Sequence, residues 1–252
     1  MCGIVGIHSK NKLDLSKDLT RMNRIQTHRG PDSSGEYINQ SSGVALAMRR
    51  LSIIDIESGS QPLISKDKNF ILVYNGEIYN APDLRLELED SGEVFVTKHS
   101  DTEVLFKILI MEGVKGLRKL NGMFAFAFYN VREGKIIIGR DNLGIKPLYY
   151  TLNNEDFYFS SELKSFKANL KNKIDEQSLF NYLSLMYVPG GDSIFKDIKK
   201  IDPGSVIIYN IKNRSLKTES FSEVAFSKKN ILKTKSLESL IYDNFILAVE
   251  RW

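Results

Sequence analysis

The chain has a single cysteine among its 252 residues, so it cannot form an internal disulfide and its composition suits a reducing compartment. It has no basic segment ahead of its first apolar run, Met-Cys-Gly-Ile-Val-Gly-Ile-His, which argues against a signal peptide. No uninterrupted apolar run approaches the roughly 18 residues a membrane span needs, and a cytoplasmic protein without a membrane partner is expected. No Lys or Arg cluster is interleaved with aromatics, which argues against nucleic acid as a partner. Repeats and low-complexity segments are absent, and no Gly-x-Gly-x-x-Gly follows the first strand, which disfavours a parallel dinucleotide-binding sheet. The net charge of +4 lies in the C-terminal part: from Lys196 onward 11 Lys or Arg face 7 Asp or Glu, whereas the first 195 residues carry 24 of each. A hydrophobic content of 42% supports one large domain or two small ones.

What is present begins at the N-terminus. If Met1 is removed, Cys2 carries both a thiol and the α-amine. These groups have reference pKa values of roughly 8.5 and 8, so one residue can supply nucleophile and base. A lone cysteine is equally well read as a small buried hydrophobe, and position 2 alone leaves both readings open.

The pattern from Cys2 to His8 reads as a buried strand, and Leu13 to Ile25 as a helix with Leu15, Leu19, Met22 and Ile25 on one face. His28-Arg29-Gly30-Pro31-Asp32 is a turn. Short strands follow at Gly35–Ile38 and Gly43–Met48, then an ordered loop from Arg49 to Pro62. The strand Phe70–Val73 is expected to break at Asn75-Gly76, a pair that favours a positive-φ turn.

Asn80 should cap a helix reaching about Ser91. Ser100 and Glu103 have capping-box spacing ahead of an apolar helix, which makes Asp101 a first-turn acid favoured by the helix dipole. Strands are expected at Met123–Phe128, Lys135–Gly139, Leu148–Thr151, Asp156–Ser160 and Ser205–Ile211, with Phe124, Phe126 and Phe128 on one face. Helices are expected from Ser161 to Phe166 and, capped by Asp175, from Glu176 to Leu185. After a polar connector at Lys228-Lys229, Leu237, Leu240, Ile241, Phe245, Ile246 and Val249 recur at helical spacing, and a helix this apolar needs a partner.

Several stretches, in order, resemble the glutamine-dependent asparagine synthetases. They are Met1-Cys2-Gly3-Ile4-Val5-Gly6, His28-Arg29-Gly30-Pro31-Asp32, Arg50-Leu51-Ser52-Ile53-Ile54-Asp55, Gln61-Pro62-Leu63, Asn75-Gly76-Glu77-Ile78-Tyr79-Asn80 and Ser100-Asp101-Thr102-Glu103. Gly122-Met123-Phe124-Ala125-Phe126-Ala127, Gly139-Arg140-Asp141 with Gly144 and Lys146-Pro147-Leu148-Tyr149-Tyr150, and Ser161-Glu162-Leu163-Lys164 complete the set. Family members often carry His where this chain has Met48, a departure expected to alter packing near the pocket and not the chemistry.

The resemblance implies an α+β fold, a four-layer αββα sandwich of two antiparallel sheets between helix layers, of the N-terminal nucleophile hydrolase type. It implies hydrolysis of L-glutamine through a Cys2 thioester, with Asn75 and the backbone N–H of Gly76 as oxyanion hole. Arg50 would bind the substrate α-carboxylate, Asp101 with Glu77 the α-ammonium, and Ile53 would line the substrate site. No metal is implied for this half. ATP and Mg²⁺ would serve a C-terminal synthetase domain in the same polypeptide, whose Ser-Gly-Gly-x-Asp-Ser type phosphate loop this chain does not contain. Residues 1–210 would form the glutaminase domain and 211–252 a connector and the start of the next domain, with a homodimer as a further partnership. Relatives that amidate sugars or antibiotic precursors, and a non-catalytic interaction domain of the same fold, are the competing readings.

Overall fold

Gly3 to His8 are buried along their whole length, and the strand they form, β1, is interior to a six-stranded antiparallel sheet. The computed structural model describes residues 1–10, 14–52, 59–153, 155–168, 173–222 and 237–250. The chain runs β1 (Gly3–His8), α1 (Leu15–Ile25), β2 (Ser33–Asn39), β3 (Val44–Arg50), β4 (Leu63–Ile64) and β5 (Phe70–Ile78). Helices α2 (Ala81–Asp90) and α3 (Asp101–Met111) lead through a 3-10 segment at Gly113–Lys119 to β6 (Gly122–Asn130) and β7 (Lys135–Arg140). Then come β8 (Tyr149–Asn153), β9 (Asp156–Ser160), a 3-10 segment at Leu163–Ala168, α4 (Glu176–Leu185), β10 (Lys199–Lys200), β11 (Ser205–Asn210), β12 (Leu216–Ser220) and α5 (Leu237–Glu250).

One sheet has the order β10-β8-β9-β1-β3-β2 and the other β12-β11-β7-β6-β5-β4. Period-two alternation assigns each strand's residues to two different cores. Ile4, Leu46, Met48, Val73, Ala125, Ala127 and Ile138 meet between the sheets. Val5 and Ile7 point the other way, onto Leu15, Leu19 and Met22 of α1. On the outer face of the second sheet, Phe124, Phe126 and Phe128 pack with Leu84 and Leu88 of α2 and with Val104, Leu105, Ile108 and Leu109 of α3. The result is the expected four-layer α+β sandwich.

Three local expectations fail. Asn75-Gly76 is not a turn: β5 runs unbroken through it, with Asn75 opposite Ala125 and Gly76 opposite Phe124. The turn preference is outweighed by a continuous ladder with β6. Glycine is required there for a different reason, because a Cβ at Gly76 would lie 2.4 Å from the carbonyl oxygen of Met123.

The capping box is not made. Ser100 stands at the N-cap of α3 without a side-chain cap bond, and Glu103 instead accepts hydrogen bonds from Val96 N, Thr97 N and Thr97 Oγ1. Asn80 occupies the N-cap of α2 but bonds Asn121 N and Lys119 O, tying that helix to the approach to β6. By contrast, Asp175 caps α4 as expected, accepting from Ser178 N.

Packing also continues past residue 210. β12 pairs with β11, and Phe221 is buried with its ring against Phe124. α5 buries none of its apolar residues. The Lys228-Lys229 connector, Leu13 and Trp252 lie outside the described residues. Among the described residues no helix is long and apolar enough to cross a membrane.

The loop between β7 and β8 is held by Asp141, which is fully buried. Its carboxylate accepts from Phe124 N, Leu143 N, Ile145 N and Lys146 N at 2.9 to 3.1 Å. Arg140 complements it by donating to the carbonyls of Lys146, Ile201 and Gly144. Asp141→Ala strands several buried donors at once and should cost about 3 kcal/mol or more of stability, read as a lowered midpoint in urea unfolding. A loss under about 1 kcal/mol would mean that the loop is held by other contacts.

Candidate active site

The same alternation that builds the inter-sheet core brings the site together at its edge. Cys2 continues the β1 face of Ile4, and Arg50 continues the β3 face of Leu46 and Met48. From the second sheet, Asn75 and Glu77 continue the inward face of Ile71 and Val73. These four residues line one cleft of about 420 Å³, together with Gly76, Asp101, Lys146, Gln61 and Met1. Of the candidate catalytic and substrate-binding residues, only Ile53 lies outside the described residues.

The thiol is held at the cleft wall: Cys2 Sγ accepts from Leu51 N at 3.4 Å and lies 3.8 Å from Leu51 O. Arg29 Nε donates to the Cys2 carbonyl at 2.9 Å. The α-amine, here on Met1, titrates below its usual value because it is partly desolvated; Arg29 and Lys146 add to the effect and Cys2 opposes it. Across the cleft, Asn75 is 1% exposed and its side-chain Nδ2 finds no acceptor among the described residues. A buried amide donor without a partner costs free energy in the empty protein, and such a donor is suited to receive negative charge from a ligand.

The acidic wall combines two elements. Tyr74, pointing out of the sheet toward α3, donates from its hydroxyl to Asp101 Oδ2 at 2.6 Å, and Ile78 N donates to the same oxygen at 3.1 Å. Asp101 is therefore more than a dipole-favoured acid; its carboxylate joins α3 to β5. Burial pushes its pKa up, and the bonds from Tyr74, Ile78 and Thr102 oppose that push without cancelling it. Burial first, and Asp101 second, push Glu77 up to about 7, with Lys146 pulling the other way. Two carboxylates kept close in a partly dry cleft await a cation.

Lys146 and Tyr74 are the residues that sequence reasoning left without a role. Lys146 is 6% exposed and its pKa is lowered by burial and by Arg29, while Cys2, Asp141 and Glu77 oppose. Its signal was the Gly139-Arg140-Asp141 stretch with Gly144, which fixes its backbone. Among the described residues no group of three or more His, Cys, Asp or Glu is placed to hold a metal. The assembled set offers a thiol, a buried amide donor, a guanidinium and a carboxylate pair. That is enough to hold a small zwitterion by both charges and to attack a carbonyl carbon.

The comparisons agree with this chemistry. A model of the glutamine amidotransferase domain matches residues 1–222. Asparagine synthetase (glutamine-hydrolysing) 1 of Bacillus subtilis is 42% identical over 210 residues, covering 81% of this chain and 33% of its own length. Putative asparagine synthetase (glutamine-hydrolysing) 2 of Methanocaldococcus jannaschii is 33% identical, covering 96% of this chain and 51% of its own length. Asparagine synthetase B (glutamine-hydrolysing) of Escherichia coli is 41% identical over 168 residues, covering 66% of this chain and 30% of its own. The chain thus spans between about a third and a half of the length of these relatives. Among solved structures, glutamine phosphoribosylpyrophosphate amidotransferase from B. subtilis, complexed with ADP and GMP, superposes with a TM-score of 0.66 at 20% identity. It covers 88% of this chain and 50% of its own, and shows the shared fold.

The Tyr74 hydroxyl favours the charged form of Asp101. Tyr74→Phe should therefore raise the Asp101 pKa further, a shift that carbon-13 NMR of the carboxyl group can follow in a pH titration. An unchanged Asp101 titration would show that Ile78 N and Thr102 suffice to hold the charge.

Proposed function

The chain belongs to the glutamine amidotransferase domain family, and on that premise we propose how its cleft hydrolyses L-glutamine to glutamate and ammonia. The observation that carries the reading is the Nδ2 of Asn75, without a partner among the described residues and buried in the same cleft as the Cys2 thiol and Arg50. With Met1 removed, the α-amine belongs to Cys2 and takes the thiol proton. Sγ then attacks the side-chain amide carbon, and the carbonyl oxygen becomes an oxyanion that accepts from Asn75 Nδ2 and the Gly76 N–H. The protonated amine gives its proton to the leaving nitrogen, the C–N bond breaks, and ammonia departs from a thioester. Water, deprotonated by the same amine, attacks the thioester; glutamate leaves and the thiol is restored.

Arg50 binds the α-carboxylate as a planar fork against a planar anion. Asp101 and Glu77 bind the α-ammonium. Both α charges are thus read, which favours glutamine over simple amides. The relatives named as asparagine synthetases support a larger protein in which the ammonia is used to make asparagine from aspartate, with ATP and Mg²⁺ needed only by that second part. The unburied apolar surface of α5 is suited to pack against it. The lack of a disulfide fits a cytoplasmic location.

Chain lacking Met1 should release ammonia from L-glutamine without ATP or metal, and Cys2→Ala should release none. Turnover by that variant would remove Cys2 from the mechanism. Asn75→Ala should lower kcat by roughly a hundredfold or more, the loss expected when one oxyanion donor is removed. Arg50→Ala should act mainly by raising KM. If Asn75→Ala moved only KM and Arg50→Ala only kcat, the two assignments would be reversed.

A pH dependence follows from Glu77. In the empty cleft its pKa is about 7, and only its ionised form attracts an ammonium group. Affinity for glutamine should therefore be present above that pH and fall away as pH drops through it, seen as an acid limb in kcat/KM. Glu77→Gln should remove this limb and leave, in both kcat/KM and kcat, the one that belongs to the α-amine. An unaltered kcat/KM profile in that variant would exclude Glu77 from ammonium binding.

A further inference from the structure

The nucleophile sits on the end of the chain, where no preceding peptide will hold it once Met1 is gone. β1 begins only at Gly3. The carbonyl of Cys2 is therefore the first backbone group after the reactive residue that can be anchored, and Arg29 Nε holds it at 2.9 Å. Arg29 is in turn fixed from the corner that follows β9, the strand paired with β1. Its terminal nitrogen Nη1 lies 3.3 Å from Glu162 Oε1, just beyond the end of β9.

The corner carrying Glu162 is built against the start of β1. Ser161 brackets Ile4, its hydroxyl accepting from Ile4 N at 3.0 Å and its N–H donating to Ile4 O at 2.9 Å. Glu162 N donates to Ser160 Oγ at 3.0 Å. The turn that carries Arg29 is packed as closely, since a Cβ at Gly30 would lie 2.3 Å from the Arg49 backbone. His28 Nε2 at 2.7 Å and Lys164 Nζ at 3.1 Å complete the surroundings of the carboxylate. Burial raises the Glu162 pKa, but the bonds from Lys164, His28 and Arg29 outweigh it and hold the group below its usual value.

We propose that Glu162 is a positioning residue for the nucleophile: its carboxylate holds Arg29, and Arg29 holds the Cys2 carbonyl so that the terminal thiol and amine keep one orientation. Glu162 does not line the cleft with Arg50, Asn75, Glu77 and Asp101. Its loss should leave glutamine binding intact and disturb the aim of the attacking atom. The proposal rests on the glutamine-hydrolysis reading for its kinetic test and on thiol reactivity for a test independent of it.

In chain lacking Met1, Glu162→Ala should lower kcat by roughly ten- to a hundredfold while KM moves less than about twofold, since a misplacement of about 1 Å can cost that much rate. Glu162→Gln, the same shape and still an acceptor for Arg29, should recover most of the loss. Lys164→Ala, which removes only an exposed partner of the carboxylate, should leave kcat unchanged. A raised KM with unchanged kcat, an unchanged kcat, or a Gln variant no better than Ala would each overturn the proposal. If the unsubstituted chain hydrolyses no glutamine, the functional reading fails, and positioning is then read from the rate of iodoacetamide alkylation of Cys2 at fixed pH. That rate should differ several-fold between the unsubstituted chain and Glu162→Ala, with Glu162→Gln close to the unsubstituted chain, and equal rates for the unsubstituted chain and Glu162→Ala would overturn it.

Discussion

Burial of β1 inside a sheet is the constraint on which the rest of the molecule depends. Its apolar residues face two cores at once, Ile4 toward the second sheet and Val5 and Ile7 toward α1. Each such side chain contributes about 1.5 to 3 kcal/mol when fully buried. Its backbone is paired on both sides, to β3 from Gly3 to His8 and to β9 from Val5 to His8. A strand so fixed cannot slip by one residue without reversing which side chains face each core. The start of the chain is therefore delivered to one place, the mouth of the seam between the sheets. Gly3 pairs with Arg49 as the last rung, and Cys2 and Arg50, the residues just past it, both line the cleft.

Around that mouth the electrostatics are arranged for a ligand and against the empty protein. Burial raises the cost of ionising Asp101 and Glu77, Asp101 adds to it for Glu77, and among the described residues the Asn75 amide keeps a donor without a partner. These terms oppose stability, and the two layered cores offset them. In the proposed function a bound amino acid reverses each term: its ammonium would compensate the carboxylates, and an oxyanion formed during attack would satisfy the amide. In the proposed reaction the interactions strengthen as charge develops, which is the condition for lowering a barrier and not merely tightening binding.

Much of this was legible in the sequence because it follows from periodicity. The alternation in β1, β3 and β6, the apolar stripe of α1 and the Asp175 cap all reappear in the structure, since burial and local preference agree there. The ordered set of short motifs pointed to the same cleft that the two sheets assemble. Less legible were contacts that join residues far apart in sequence. Lys146 faces the cleft because Asp141 gathers the amides of its loop, and no pattern within that loop announces which side chain turns inward. Arg29 and Glu162 lie on separate segments that only the pairing of β1 with β9 brings together. β12 carries a weak strand pattern, Leu216 to Ser220, and forms because β11 offers it an open edge.

The failures of local reasoning are themselves informative, since they fall on and beside the cleft. Asn75-Gly76 has the chemistry of a turn and is held in a strand, where Asn75 lines the cleft that Cys2 also lines and glycine admits the backbone of β6. Ser100 and Glu103 have the spacing of a reciprocal cap, yet Glu103 is drawn to the amides of Val96 and Thr97. Asp101 is left between them at the first turn of α3, with its carboxylate turned to Tyr74 and Ile78. A chain selected for stability alone would let these residues follow their own preferences. Asn75, Gly76, Ser100 and Asp101 line the cleft and Glu103 stands beside it, so the departures gather where the proposed function places the substrate.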